Sequence, residues 1–362
     1  MGRWSGWAVG GGVASLLLGS VFFTSATAVA AGSATLSIFA GTGAGGPPTV
    51  GPARSSDLFE PFGVAVSPNG VVYIADTDNN VVERVGPSGN LTVFAGTGTA
   101  GPPTPGMASR SDLNSPEGVA VDSSGNVFIA DTYNDEIEKV TPSGSLTIIA
   151  GTGSMGAPTP GPATSSELNR PSAVAVGNPG FYIADTANNL IEEVSSEGTL
   201  SVVAGTGEPG PPTRGPATRS DLFEPDGVVA LPSGGFAIAD TFNNVVERVT
   251  ASGTISLLAG NGQQGEPTAG GATKTSLFEP GGLAITSSGV LYIAEDDGAQ
   301  LVDVAKGSLS ILAGTGTAGP PTTGPPHDSD LFSSDVALGK GVLYLANYGS
   351  NQVLKIAAAT TG

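Results

Sequence analysis

Apolar and polar positions alternate along this chain in short bursts. The run "VVYIAD" (Val71 to Asp76) ends in an acid, "TDNN" follows as a cluster of turn formers, and "VVERV" (Val81 to Val85) resumes the apolar pattern. Short apolar runs bounded by Gly, Pro, Asn and Asp predict strands joined by hairpins. Upstream, "GVAV" (Gly63 to Val66) has the continuous apolar character of an inner strand buried on both faces. "SPNG" links it to the next strand, because Asn-Gly tolerates the positive φ of a tight turn. In the third strand, Glu83 and Arg84 are expected to face water, and Glu138 and Lys139 likewise. "GPSGN" then turns the chain into a fourth strand, "LTVFAG" (Leu91 to Gly96). Four short strands joined this way predict one blade of a β-propeller.

The same text recurs. "YIADTDNNVVERV" returns as "FIADTYNDEIEKV", "YIADTANNLIEEV" and "AIADTFNNVVERV", then more loosely as "YIAEDDGAQLVDV" and "YLANYGSNQVLKI". The motif "AGTG" or "AGNG" starts at Ala40, Ala95, Ala150, Ala204, Ala259 and Ala313, a spacing of 54 or 55 residues. A fixed period of four strands indicates a propeller or solenoid. The last unit lacks its fourth strand, and an unmatched copy, "TLSIFAGTG" (Thr35 to Gly43), stands near the start. Pairing that strand with the last unit would close a ring of six blades and leave no open edge between its ends. The expected units are about 61–98, 116–153, 171–207, 225–262, 280–316, and 334–356 completed by 35–43. Between blades, long connections repeat a "PT" core with Thr49, Thr104, Thr159, Thr213, Thr268 and Thr322. Each also repeats a leucine, at Leu58, Leu113, Leu168, Leu222, Leu277 and Leu331, which predicts a pinned Ω-like loop with a turn of helix near "SSDL".

Composition narrows the class. The 362 residues include 56 Gly and 28 Pro, yet 39% are hydrophobic and 6% aromatic, so a core of Val, Ile, Leu and Ala is expected. The net charge of −19 disfavours nucleic acid and anionic lipid as partners. The absence of cysteine removes disulfides and thiolate chemistry. Residues 1–30 combine Arg3 with an uncharged apolar stretch ending in "AVA" (Ala28 to Ala30), the pattern of a cleavable signal peptide. An uncleaved anchor is the competing reading, since the stretch is long enough to span a bilayer. Both imply export of residues 31–362, as a secreted or cell-envelope domain that is not inserted in the membrane once the leader is removed.

The sequence P-x-G-V-A-V, N-G, Y-I-A-D-T-x-N-N and V-x-x-V resembles the NHL repeat, from Thr35 to Ile356. The "AGTG" strand and the "GPAT…SDL" connection are similar to bacterial NHL arrays and to the NHL propeller of teneurins. The resemblance implies an all-β, six-bladed propeller acting mainly as a binding platform. It also implies enzymatic relatives of the same architecture, among them amidating and streptogramin lyases and gluconolactonase-like hydrolases. Blades five and six depart from the consensus, with "EDDGAQ" and "NYGSNQ".

Several residues are candidates for chemistry. Asp76, Asp131, Asp185, Asp240, Glu295 and Asn347 recur at the turn after each second strand. They form either an acidic collar for a cation or a cationic ligand or, for the four aspartates, local Asx-turns to the backbone N–H groups that follow. The position before each inner strand varies instead: Phe62, Glu117, Ser172, Asp226, Gly281 and, aligned by counting, Asp335. Glu117, Asp226 and Asp335 at the mouth of a central channel would suit Ca²⁺, a hard cation that takes oxygen ligands. Otherwise no cofactor is expected. The single histidine, His327, excludes a metal held by several imidazoles and argues against the lyases, which rely on histidine. Departures from repeat symmetry concentrate at Glu295, Asp296, Asp297, His327, Asp328, Asn347 and Tyr348, where a unique site would be sought.

The expected function is an exported, monomeric, non-catalytic binding or scaffold propeller. Its stiff "PT" loops would meet a protein, peptide or glycan of the cell envelope. The alternative is a Ca²⁺-dependent lactonase-like hydrolase using Glu117, Asp226 and Asp335, so enzymatic activity stays open. A ring binding partners along its blade sides ranks last.

Overall fold

The computed structural model describes residues 34–296 and 298–358, so the candidate leader 1–30 and Asp297 lie outside the described residues. Six antiparallel sheets surround an axis, and the architecture is an all-β six-bladed propeller. Blade one is representative, with an inner strand Pro61–Val66 followed by Val72–Asp76, Val81–Val85 and Asn90–Ala95. The long connection entering each of the first five blades adds a two-residue fifth strand. In blade one, Gly51–Pro52 pairs outside Leu91 and Asn90 and covers an edge that would otherwise offer free backbone groups.

The ring closes as expected. Ala34–Ala40 pairs with Gln352–Ala358, Leu36 opposite Ile356, and completes the sixth blade. Gly324 bridges to Leu36 in place of the fifth strand. A second fastening crosses the seam between blades six and one, where the Glu60 N–H donates to Asn351 Oδ1 at 2.9 Å. Ser334 Oγ also donates to the Phe62 carbonyl at 2.7 Å.

The hydrophobic clusters lie between neighbouring blades. Ala65, Tyr73 and Val82 of blade one pack with Val119, Val127 and Ile129 of blade two. On its other face, Val64, Ile74 and Val85 pack with Ala337, Ala346 and Val353 of blade six. Each sheet is therefore covered on both faces, and each loop leucine, such as Leu58, is fully buried and contributes about 2 kcal/mol. The helical turns of the connections form one step earlier than expected, at Ala53–Ser55 and its equivalents, where Ala53 is buried.

Two sheet facts correct the sequence reading. Glu83 and Glu138, expected at a water-facing edge, are both 0% exposed, whereas Arg84 beside Glu83 is exposed as expected. Asp335 is out of its expected slot. It pairs with Ala346 as Gly63 pairs with Ala75, so the blade-six counterpart of Phe62 is Ser334. Blade six is one residue shorter between Leu331 and its inner strand, and counting from the leucine shifts the alignment by one.

Candidate functional site

The D-T-x-N-N turn is a set of fasteners, and each residue has its own task. Asp76 Oδ1 accepts the Phe59 N–H at 2.6 Å, and Oδ2 accepts Asn79 Nδ2 at 2.7 Å. Thr77 Oγ1 donates to the Pro116 carbonyl of the next blade at 2.8 Å. Asn79 Nδ2 also reaches the Gly46 carbonyl at 2.7 Å and holds the long connection down. Asn80 adopts φ 54°, a left-handed conformation that asparagine tolerates. Its Oδ1 accepts the Ser115 N–H of blade two at 2.9 Å.

The aspartate therefore does not make the expected Asx-turn to the residues that follow it. It grips the end of its own inter-blade loop, as Asp131 does at Asn114, Asp185 at Asn169 and Asp240 at Phe223. All four aspartates are 0% exposed, which removes them from any ligand-facing collar. Glu295 and Asn347 are equally buried and accept the Phe278 and Phe332 N–H groups at 3.1 and 2.6 Å, so they too face inward.

What remains open is the channel mouth. A cavity of about 470 Å³ runs along the inner strands and is lined at its loop end by Phe62, Glu117, Ser172, Asp226, Asp296 and Ser334. Each of the first five blades enters its inner strand through a proline, and a register irregularity just after it turns the next side chain toward the axis. At two of these strands the approach of the next blade leaves room only for glycine. A Cβ on Gly63 would meet the Glu117 carbonyl at 2.1 Å, and one on Gly227 the Gly281 carbonyl at the same distance.

Electrostatics at the mouth is one-sided. Burial, then the charge of Asp226, raises the Glu117 carboxyl to about 8, offset in part by Arg170. Burial, then Asp296 and Glu224, raises Asp226 to about 7, although Ser172 and Thr241 hydrogen-bond it. On the blade-one side Phe62 lines the mouth, and behind it the Tyr348 ring lies 5.3 Å from Phe62 and 6.2 Å from Phe332.

Asp335 is occupied elsewhere. It accepts the Val64 N–H at 2.9 Å and the Val336 N–H at 2.8 Å, which fastens blade six to blade one. Among the described residues no group of three or more histidines, cysteines or acids is placed to hold a metal ion. His327 is exposed in the turn Pro326–Asp328, the counterpart of the turns packed under the outer strands. Thr49, Thr104, Thr159, Thr213, Thr268 and Thr322 are exposed, but they precede the fifth strands and so ring the perimeter. Their N–H groups are fixed, as Thr49 is to Ser56 Oγ at 2.8 Å.

Comparisons with known proteins agree with this geometry. A family model described as the Teneurin NHL domain matches residues 87–266. The chain is similar to human Teneurin-1, with 25% identity over 68% of this chain and 12% of that protein. The chain is an NHL-repeat β-propeller. This NHL propeller thus spans only about an eighth of the curated teneurin it matches. Solved structures share its fold. A protein from Bacteroides ovatus described as an auxiliary nutrient binding protein superposes with a TM-score of 0.65 at 14% identity, covering 90% of this chain and 76% of that one. A gluconolactonase from Xanthomonas campestris superposes with a TM-score of 0.55 at 12% identity, covering 86% and 95%. At such identities these two structures speak for the NHL propeller's fold alone.

Proposed function

We propose that this NHL propeller is a non-catalytic binding protein that takes its ligand at the channel mouth on the loop face. One observation carries the reading. Around the ring the fasteners recur almost unchanged, whereas the mouth position holds Phe62, Glu117, Ser172, Asp226, Gly281 and Ser334. Repeats that keep one frame in blades one to four but differ from blade to blade where they converge build a particular surface on a shared scaffold. The nutrient-binding description of one fold neighbour is compatible with that role. The perimeter threonines would act as a rim for a larger protein, peptide or glycan ligand, not as its anchor.

A lactonase would need a polarising metal or a poised acid–base set, and the described residues offer no metal cluster. We assign residues 1–30 to a leader that exports the propeller to the cell envelope or medium. Mass spectrometry of the mature protein should then find a chain starting at Ala31; a retained Met1 would refute cleavage.

The binding reading is tested by screening small metabolites and lactones for a rise in melting temperature, with each mixture analysed afterwards for products. Stabilising compounds should be recovered unchanged and should lose their effect on Phe62→Trp, which fills the mouth. Hydrolysis of a lactone, or stabilisation indifferent to that substitution, would contradict it.

A further inference from the structure

The mouth is chemically polarised, and its polarity specifies a ligand class. Glu117, Asp226 and Asp296 come from blades two, four and five and act on one another through their charges. The Phe62 ring of blade one lines the mouth and is backed by Tyr348 of blade six. Below them the cavity wall is aliphatic, with Val64, Val119, Val174, Val228, Leu283 and Val336.

An acidic cluster alone would say little, but Glu117 adds an independent observation. It lines the cavity half-buried, and no protein hydrogen bond reaches its carboxyl. Arg170 acts on it only through charge, and the Arg170 guanidinium lies 5.1 Å from the Tyr133 ring centroid. A half-buried carboxyl whose ionisation is disfavoured by burial and like charge gains more from a cationic hydrogen-bond donor than an open one would. The spacing of the acids speaks against a bare metal ion, because the described residues form no cluster of metal-ligand geometry. A bulkier cation does not need that spacing. Its head can take hydrogen bonds to separate carboxylates and meet an aromatic face, while its apolar part enters the aliphatic channel.

We propose that the channel mouth binds a monocationic amine, with the ammonium group among Glu117, Asp226 and Asp296 and the hydrocarbon tail directed down the channel past Phe62. This rests on the mouth being the binding site and names the ligand class. Because Glu117 is raised to about 8 and Asp226 to about 7, a cation would displace protons as it binds. The charged groups facing them are Asp296, Glu224 and Arg170. The same ammonium head is carried by a free amine and by a lysine side chain of a peptide.

Calorimetric titration of the folded protein at neutral pH distinguishes the cases. The probes are n-hexylammonium, 1-hexanol, hexanoate, Nα-acetyl-lysine amide and calcium chloride. Hexylammonium should bind with release of protons to buffer, at least about tenfold more tightly than hexanol, a difference of about 1.4 kcal/mol. Hexanoate should not bind. Glu117→Gln and Asp226→Asn should each weaken hexylammonium about tenfold, while Glu208→Gln on an exposed loop should not. The lysine amide binding more tightly than hexylammonium would assign the site to a peptide lysine, and the reverse order to a free amine. Hexanol binding as well as hexylammonium, calcium displacing it, or both mouth variants retaining full affinity would overturn the proposal. If no amine binds while the metabolite screen yields another ligand abolished by Phe62→Trp, the amine class falls and the binding site stands.

Discussion

Asp76 and Glu83 meet inside the sheet of blade one as a buried pair of carboxyls. Both are 0% exposed, and no N–H or hydroxyl reaches either Glu83 oxygen. Burial, then the Asp76 charge, holds Glu83 well above the usual carboxylate range. Asp76 is itself raised by burial, but the Asn79 and Phe59 N–H groups favour its ionised form. Burial and mutual repulsion disfavour two anions in this pair and favour its keeping a proton, Glu83 the more strongly raised of the two. Blades two to four repeat it as Asp131 with Glu138, Asp185 with Glu192 and Asp240 with Glu247.

The pairs make stability fall with rising pH. Glu247 is raised to about 9 and Asp240 to about 7, first by burial. Groups with raised folded pKa bind more protons folded than unfolded, so their stabilisation is complete below about pH 4 to 5 and is lost as pH rises through the folded values. Calorimetric melting should give a higher midpoint near pH 5 than at pH 9. A midpoint rising across that interval would contradict the assignment.

The last two blades supply a natural control. Where blades one to four have Asp and Glu, blade five has Glu295 with Val302 and blade six has Asn347 with Leu354. Copying blade six into blade one through Asp76→Asn with Glu83→Leu keeps an acceptor for the Phe59 N–H and fills the site with apolar volume. Stability at pH 9 should rise by about 1 to 4 kcal/mol, as replacing a buried polar pair can give, and the pH slope should flatten. Asp76→Ala alone should instead cost about 1 to 3 kcal/mol by stranding that N–H.

The ring was legible because its cause is local and repeated. The period, the turn residues and the unmatched strand at Thr35 each follow from short-range chemistry, and the structure keeps all three. Glu83 was misread because a charge was assumed to mean a wet position, whereas Glu83 and the exposed Arg84 point to opposite faces of the strand. Its signal was present as a glutamate seven residues after each of Asp76, Asp131, Asp185 and Asp240. The Asp335 shift was hidden because one residue is missing before the blade-six strand. Only the pairing of Asp335 with Ala346 reveals it. Convergence of Glu117, Asp226 and Asp296 depends on ring geometry, although each of the three was a candidate from sequence for a separate reason.

The closing strand should count as fully as an internal one. Leu36 faces Ile356 as Leu91 faces Val85, and both leucines are 0% exposed. Leu36→Ala and Leu91→Ala should each cost about 2 to 5 kcal/mol in chemical denaturation. A negligible loss for Leu36→Ala would contradict closure by this strand.

One seam should open before the others. Between blades one and two, Thr77 and Asn80 fasten the neighbour, but at the blade five to six seam the asparagine place holds Ala299, which has no side-chain acceptor. Hydrogen exchange should be faster in Gln300–Ala305 and Ser333–Gly339 than in their blade-two and blade-three counterparts. Equal protection at every seam would refute the weak seam.

Thiol protection tests the location of binding most directly, because the chain has no native cysteine. Phe62→Cys at the mouth and Thr104→Cys on the rim are alkylated with iodoacetamide, with and without a compound that stabilises the parent protein. Binding at the mouth should slow alkylation of the Phe62→Cys protein and leave the Thr104→Cys rate unchanged. Protection of the rim thiol with an unprotected mouth thiol would contradict a mouth site and return the perimeter loops as the binding surface.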